Sequence, residues 1–219
     1  MAFISWVCVK LFGGPVTQRQ DYVPLSMVKS IAREHLYTFA TAGTAAVLFM
    51  LLRSARTVLV PLIGSAISLD TQTIGIIVSI SAAIDVALFY PAGLLMDQYG
   101  RRFTAVPSSI LFTIALSLLS LSHSFWTLLA VSIFLGFANG LSTGIVMTLG
   151  TDLAPPHQRS AFLGLWRLLT DLGTSAGPVV VGAVAVVAPL GVAALTVGGV
   201  GAAGCVVVYR YVEETLNRA

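Results

Sequence analysis

Five charged side chains interrupt long apolar stretches of this sequence: Arg53, Arg56, Asp85, Arg167 and Asp171. A charge at the centre of a membrane helix costs roughly 2.5–3.5 kcal/mol on insertion scales, so five amount to about 12–17 kcal/mol gross. Groups kept at that cost line substrate or ion pathways, carry protons or pair with one another. Asp85 stands near the middle of its stretch, about 16 Å from either end at a rise of 1.5 Å per residue. A carboxyl at that depth is a candidate proton carrier. Arg53 and Arg56 are three apart, share a face of the preceding helix at similar depth, and are the natural counter-charges. Arg167 stands about 9 Å from the predicted start of its helix and can snorkel back to the interface. Asp171 lies four residues on, at ideal spacing for an ion pair within the helix. That pair either holds structure or contributes to a pathway. Asn139 is either a polar lining residue or an interhelical hydrogen-bonding group.

These residues must be positioned by membrane helices. Hydrophobic residues make up 57% of the 219 and charged residues 10%, with mean hydropathy +0.92. Soluble domains carry about 25% charged residues, and a chain of this length could not solubilise so much apolar surface. A span needs about 20 mostly apolar residues. Six are predicted, over 36–67, 74–96, 103–121, 125–149, 161–187 and 190–212. The expectation is an all-α membrane protein with a six-helix transmembrane domain over residues 36–212. Residues 1–35 read as a cytoplasmic tail or linker whose segment 24–35 could lie on the membrane surface as a short helix. Residues 213–219 read as a second cytoplasmic tail. The opening M-A-F-I-S-W-V-C-V-K lacks a basic start and a small-residue cleavage site, which argues against a secretory signal.

Lys10, Arg19, Lys29, Arg33, Arg101, Arg102, Arg159, Arg210 and Arg218 fall in the tails, the two–three loop or the four–five loop. The other loops hold no Lys or Arg. This asymmetry predicts a multi-pass protein of the inner or plasma membrane with both termini in the cytoplasm. Cys8 and Cys205 lie at opposite ends and offer neither a disulfide framework nor metal spacing. No cofactor, metal or nucleic-acid partner is expected.

Between the second and third spans the chain reads G-L-L-M-D-Q-Y-G-R-R, residues 93–102. An acid, a glycine turn and paired arginines between spans make a polar hinge, so Gly93, Asp97, Gly100, Arg101 and Arg102 are candidate gating residues. Gly136, Gly140 and Gly144, spaced by four, form a seam for close helix contact. The same stretch contains G-L-S-T-G, which matches the G-x-S-x-G elbow of serine hydrolases. That chemistry needs a histidine near Ser142, and the only histidines, His35, His123 and His157, lie in tails or loops. An enzyme is not expected. The fifth span carries G-T-S-A-G-P-V-V-V-G, in which Gly173, Gly177, Pro178 and Gly182 suit close approach around a proline.

The hinge resembles the loop signature of the major facilitator superfamily, G-x-x-x-D-R-x-G-R-R, with Gln98 in place of the usual base. The fifth-span motif resembles the g-x-x-x-G-P-x-x-G-G pattern of that family's proton-coupled antiporters, with Val181 replacing a glycine. D-L-A-P-P-H-Q-R-S, residues 152–160, supports the likeness. The family has twelve helices in two six-helix halves, so this chain resembles one half. Ser132 and the Leu135-Gly136 pair, where the amino-terminal half has an arginine and a Q-G pair, point to the carboxy-terminal half, as does the tail E-E-T-L-N-R. The resemblance implies a 3+3 inverted-repeat fold and secondary transport of small solutes, with a midplane cavity between two halves. It implies proton-coupled efflux of drug-like or organic compounds by a homodimer or with a separate six-helix half. It also implies that the hinge locks the cytoplasmic side during alternating access. The alternative is a truncated or regulatory membrane protein that transports nothing.

Overall fold

The computed structural model describes residues 25–211, and every described element is helical. A short helix, α1 (Leu25–Glu34), precedes six long apolar ones: α2 (Leu36–Ala66), α3 (Thr71–Tyr99), α4 (Arg101–Leu121), α5 (Phe125–Leu153), α6 (Pro156–Val187) and α7 (Leu190–Tyr211). The six predicted spans are therefore all present. Their ends differ by a few residues, because polar caps and loop residues extend the helices beyond the apolar runs. The tail readings for residues 1–24 and 213–219, and the predicted end of the last span at 212, lie outside the described residues.

Local chemistry sets the ends. Asp70 caps α3 and accepts from the Thr73 backbone N–H at 3.2 Å, and hydrogen bonds from Thr73 hold its carboxyl below the usual carboxylate range. Ser124 and Thr127 form a reciprocal capping box at the start of α5. Gly100 alone joins α3 to α4 with φ of 101°, a conformation that favours glycine over residues with a side chain. Helix α1 rests on α6. Its Ile31 is fully buried, and beside it the His35 ring stands edge-on to Phe162, with centroids 5.6 Å apart.

The packing has an internal symmetry. Helix α2 packs on α6 as α5 packs on α3; α4 packs on α5 as α7 packs on α2; α4 and α7 pack on each other. Exchanging the first three spans with the last three maps this pattern onto itself, which is the signature of a 3+3 repeat. Glycines permit the closest approaches. A side chain at Gly136 would strike the backbone of Ser81, and one at Gly140 would stand 2.8 Å from the Asp85 carbonyl oxygen. Gly144 meets the end of Met96. Gly173 sits against the backbone of Val47, and Gly177 against Ser54 and the Leu51 carbonyl. A third seam was not singled out in the sequence. Gly198 and Gly201 of α7 face Ser117 and Thr113 of α4, whose hydroxyls donate back to their own helix at 2.8 Å.

Candidate functional site

Three helices meet around one carboxylate. Asp85, central in α3, lies 3.6 Å from an Arg56 guanidinium nitrogen of α2. The Asn139 side-chain N–H of α5 donates to the same carboxylate, and the Thr143 hydroxyl approaches its other oxygen at 3.5 Å. Arg56 also donates to the Leu135 carbonyl of α5 at 3.2 Å. Both charged side chains are largely enclosed, 15% exposed for Arg56 and 13% for Asp85. At such burial the ions need each other and the added hydrogen bonds.

The local sequence of α5 makes this meeting possible. Gly140 lets the α3 backbone come close, which brings Asn139 within reach of Asp85. Beside Asn139 the regular helix is interrupted: one segment ends at Ser142 and the next begins at Ile145. The Ser142 and Thr143 hydroxyls both donate to the Asn139 carbonyl, at 2.8 and 2.9 Å. Hydroxyls that compete for helix carbonyls in this way loosen a helix. Asn139 Oδ1 is buried and has no hydrogen-bond partner among the described residues. Asn139 makes an interhelical hydrogen bond, to Asp85 of α3.

Arg53 stands apart from its neighbour. It is half-buried, one turn nearer the start of α2, and makes no hydrogen bond or ion pair with a described residue; it feels Asp85 only through the longer-range field. Next to Arg56 a cleft of about 90 Å³ opens between α2 and α3, lined by Thr57, Pro61, Val78 and Ser81 among others.

Arg167 and Asp171 form the intrahelical pair, with Arg167 Nε 3.1 Å from Asp171 Oδ1. Their side chains are 66% and 54% exposed, on the side of α6 away from its buried Trp166, Thr170 and Gly173. The helix begins at Pro156, so Asp171 lies near the middle of its length. Gly177 and Pro178 lie within the continuous helix, whereas Gly182 meets nothing within 4 Å of a side chain placed there and takes no part in packing this bundle. Gly182 is the next residue after buried Val181, and at about 100° per residue it faces away from the contact that Val181 makes.

The hinge forms a second polar centre. Arg101 donates to Asp97 at 3.1 Å, to Asp152 of α5 at 3.0 Å and to the Met96 carbonyl at 3.0 Å. One guanidinium thus joins the end of α3, the start of α4 and the end of α5. Asp97 is 68% exposed and Asp152 only 24%, so the more enclosed partner is the one not counted among the gating residues from the sequence. Asp152 lies 51 residues from Arg101, and no local spacing signals their meeting. Arg102 donates to the Tyr209 carbonyl at 2.7 Å and lies over its ring, pinning α4 to the end of α7. Gly93 has open space beside it.

Six apolar spans with polar centres at mid-helix and at one end define an integral, multi-pass helical membrane protein. The family profile of the Major Facilitator Superfamily matches residues 42–219, and the chain belongs to that family. It is similar to the hexuronate transporter of Bacillus subtilis, 26% identical over 171 residues, covering 78% of this chain and 40% of the transporter. It is 34% identical over 85 residues to the arabinose-proton symporter of Bacillus subtilis, covering 39% of this chain and 18% of the symporter. It is 30% identical over 98 residues to the MFS-type efflux transporter ffsH of Aspergillus flavipes, covering 44% and 17% respectively. The chain thus spans 40% or less of the length of each of these relatives.

Proposed function

We propose that this chain is one six-helix half of a secondary transporter of small solutes, and that Asp85 is its proton carrier. The Arg56–Asp85–Asn139 cluster, which ties α2, α3 and α5 together at mid-membrane, carries this reading. Protonating Asp85 removes its charge, weakens its hold on Arg56 and frees α3 from α2, a change suited to switching access between the two sides. A second six-helix half, either another copy or a separate chain, would supply the opposite wall of the cavity. Two features favour such a partner. Helices α3 and α6 are the least buried of the six, and α6 turns the Arg167–Asp171 pair outward at mid-span, where bare hydrocarbon would be a costly surrounding. Sugars, sugar acids and exported organic compounds are the solutes to try first, after the hexuronate, arabinose-proton and efflux names of the relatives.

Proton flux in proteoliposomes, with any required partner half present, tests the assignment. Asp85→Asn abolishes proton-coupled movement and keeps solute exchange, since exchange needs no net proton transfer. Normal coupling in Asp85→Asn together with lost coupling in Asp171→Asn would move the role to α6. The orientation has both termini in the cytoplasm: Arg101, Arg102, Arg159 and Arg210 cluster at one end of the bundle, while the loops at the other end hold no Lys or Arg. His123→Cys is then labelled from outside the cell, and labelling only from the cytoplasm would reverse the topology.

A further inference from the structure

We propose that the cleft between α2 and α3 is a water site, and that water held there by Arg56, Thr57 and Ser81 bridges Arg56 to Asp85 and exchanges the proton of that carboxyl. The inference rests on the reading of Asp85 as a proton carrier and adds the group that loads it. The first ground is a distance. Arg101 meets both of its carboxylates, and Arg167 its own, at 3.0 or 3.1 Å. Arg56 stands 3.6 Å from Asp85, beyond the roughly 2.7–3.2 Å of an N–H···O hydrogen bond. A polar contact across such a gap is one that a water molecule can share.

The cleft has the size and the partners for it. Its volume of about 90 Å³ has room for about three waters at about 30 Å³ each. An enclosed water needs about two to four polar partners, and three lining side chains supply them. The Thr57 hydroxyl donates to the Ser54 carbonyl at 2.7 Å, and the Ser81 hydroxyl to the Ser132 carbonyl at 2.6 Å. With their hydrogens committed, both oxygens present lone pairs to which water donates. Arg56 places one guanidinium N–H on the Leu135 carbonyl and has others for a water oxygen. Asn139 supplies a second ground. Its N–H reaches Asp85, while its Oδ1 is buried and has no hydrogen-bond partner among the described residues. A water on the Asp85 carboxylate satisfies that acceptor.

Access comes from the α2 side. Between α3 and α5 the seam is shut beside Asp85, because Gly140 stands against its carbonyl oxygen and against Leu88. Toward the loop joining α2 and α3, Gly64 packs on Ile74 and closes the end of the cleft. Thr57, Val78 and Ala82 are exposed at its rim, and Val60 and Ser81 are buried at its floor. The charged groups facing Asp85 are Arg56 and, at longer range, Arg53, both of α2. Helix α5 turns only uncharged Asn139 and Thr143 to it, and the arginines of α4 stand at the far end, in the hinge. Loading is a proton transfer: an O–H bond forms on a carboxylate oxygen of Asp85 as a protonated water gives up H⁺ and becomes neutral water. Release runs the same step backward. When Asp85 is neutral, Arg56 keeps the water as an acceptor, so the ion pair opens without stranding the guanidinium.

Two measurements test this. The first is radiolytic footprinting of the purified full chain in detergent, in which short X-ray pulses turn bound water into hydroxyl radicals that mark the side chains touching it. Val60, only 5% exposed but lining the cleft, is marked; its neighbour Leu59, fully buried and outside the cleft lining, is not. Ala82→Leu fills the rim and removes the mark on Val60. The second is proton flux in proteoliposomes, with any required partner half present. Thr57→Val keeps the shape and loses the oxygen, and it slows proton-coupled movement about three- to tenfold more than solute exchange, the worth of one hydrogen bond. Thr57→Ser restores the flux. Equal marking of Val60 and Leu59, or a mark on Val60 that Ala82→Leu leaves in place, overturns the water site. Equal flux in Thr57→Val and Thr57→Ser overturns its part in proton transfer. If the valine variant does not fold, flux through Ala82→Leu decides the matter, and a wild-type rate there overturns the inference. The two readings fail separately. A mark on Val60 that Ala82→Leu removes, with normal coupling in Asp85→Asn, leaves the water site and removes the carrier. Coupling lost in Asp85→Asn but unaltered in Thr57→Val and Ala82→Leu does the reverse.

Discussion

Among the described residues two arginine–aspartate pairs stand away from the helix ends, and they differ in nearly every respect. Arg167 and Asp171 sit four apart on one helix, exposed to 66% and 54%. Arg56 and Asp85 come from different helices and are exposed to only 15% and 13%. The first pair is a local matter, since helix geometry alone places residues four apart side by side. The second exists only when α2, α3 and α5 have assembled, and it takes Asn139 and the Leu135 carbonyl into the same network. The first pair can break without altering how helices sit; the second cannot.

Removing one partner separates the pairs most sharply. Arg56→Leu strands a buried carboxylate and should cost about 3–5 kcal/mol of stability. Arg167→Leu removes only an intrahelical pair and should cost about 0.2–0.5 kcal/mol. Thermal melting of both variants in detergent measures this, and equal losses would mean that enclosure does not distinguish the pairs. The double variant Arg56→Leu with Asp85→Leu should recover much of the loss, because no stranded charge remains.

The glycines around the pairs extend the contrast to packing. Gly140 holds α3 against α5 beside Asp85, and Gly177 holds α6 against α2, so leucine at either forces backbones apart. The expected cost is about 1–3 kcal/mol each. Gly182, on the same helix as the exposed pair, meets nothing, and Gly182→Leu should leave the melting temperature of this chain unchanged. A clear drop for Gly182→Leu would place a neighbour there that the bundle itself does not supply.

The hinge offers the finest comparison. Arg101 holds enclosed Asp152 and exposed Asp97 at nearly the same distance. Asp152→Asn should lower stability by about 1 kcal/mol, since it joins α4 to α5 through a charge-assisted hydrogen bond. Asp97→Asn should leave folding intact and slow transport. An Asp97→Asn variant that transports at the wild-type rate would reduce the loop to a topological anchor.

The sequence by itself determined the six spans, their one-sided basic ends, the glycine turn at Gly100 and the pairing of Arg167 with Asp171. Each is local: a span is a run of apolar residues, and an ion pair at i,i+4 follows from one helix. Asp85 and the arginines of α2 were legible as candidates because a charge within a span is rare. Which arginine pairs was not legible. Arg53 and Arg56 have the same charge and similar depth, and only the rotation of α2 against α5 and α3 gives Asp85 to Arg56 and leaves Arg53 without an acceptor among the described residues. The same holds for Asp152 reaching Arg101 across 51 residues, and for Gly182 turning away from the seam that Gly173 and Gly177 share. These depend on how helices distant in sequence are rotated and seated against one another, and no spacing along a single helix encodes that.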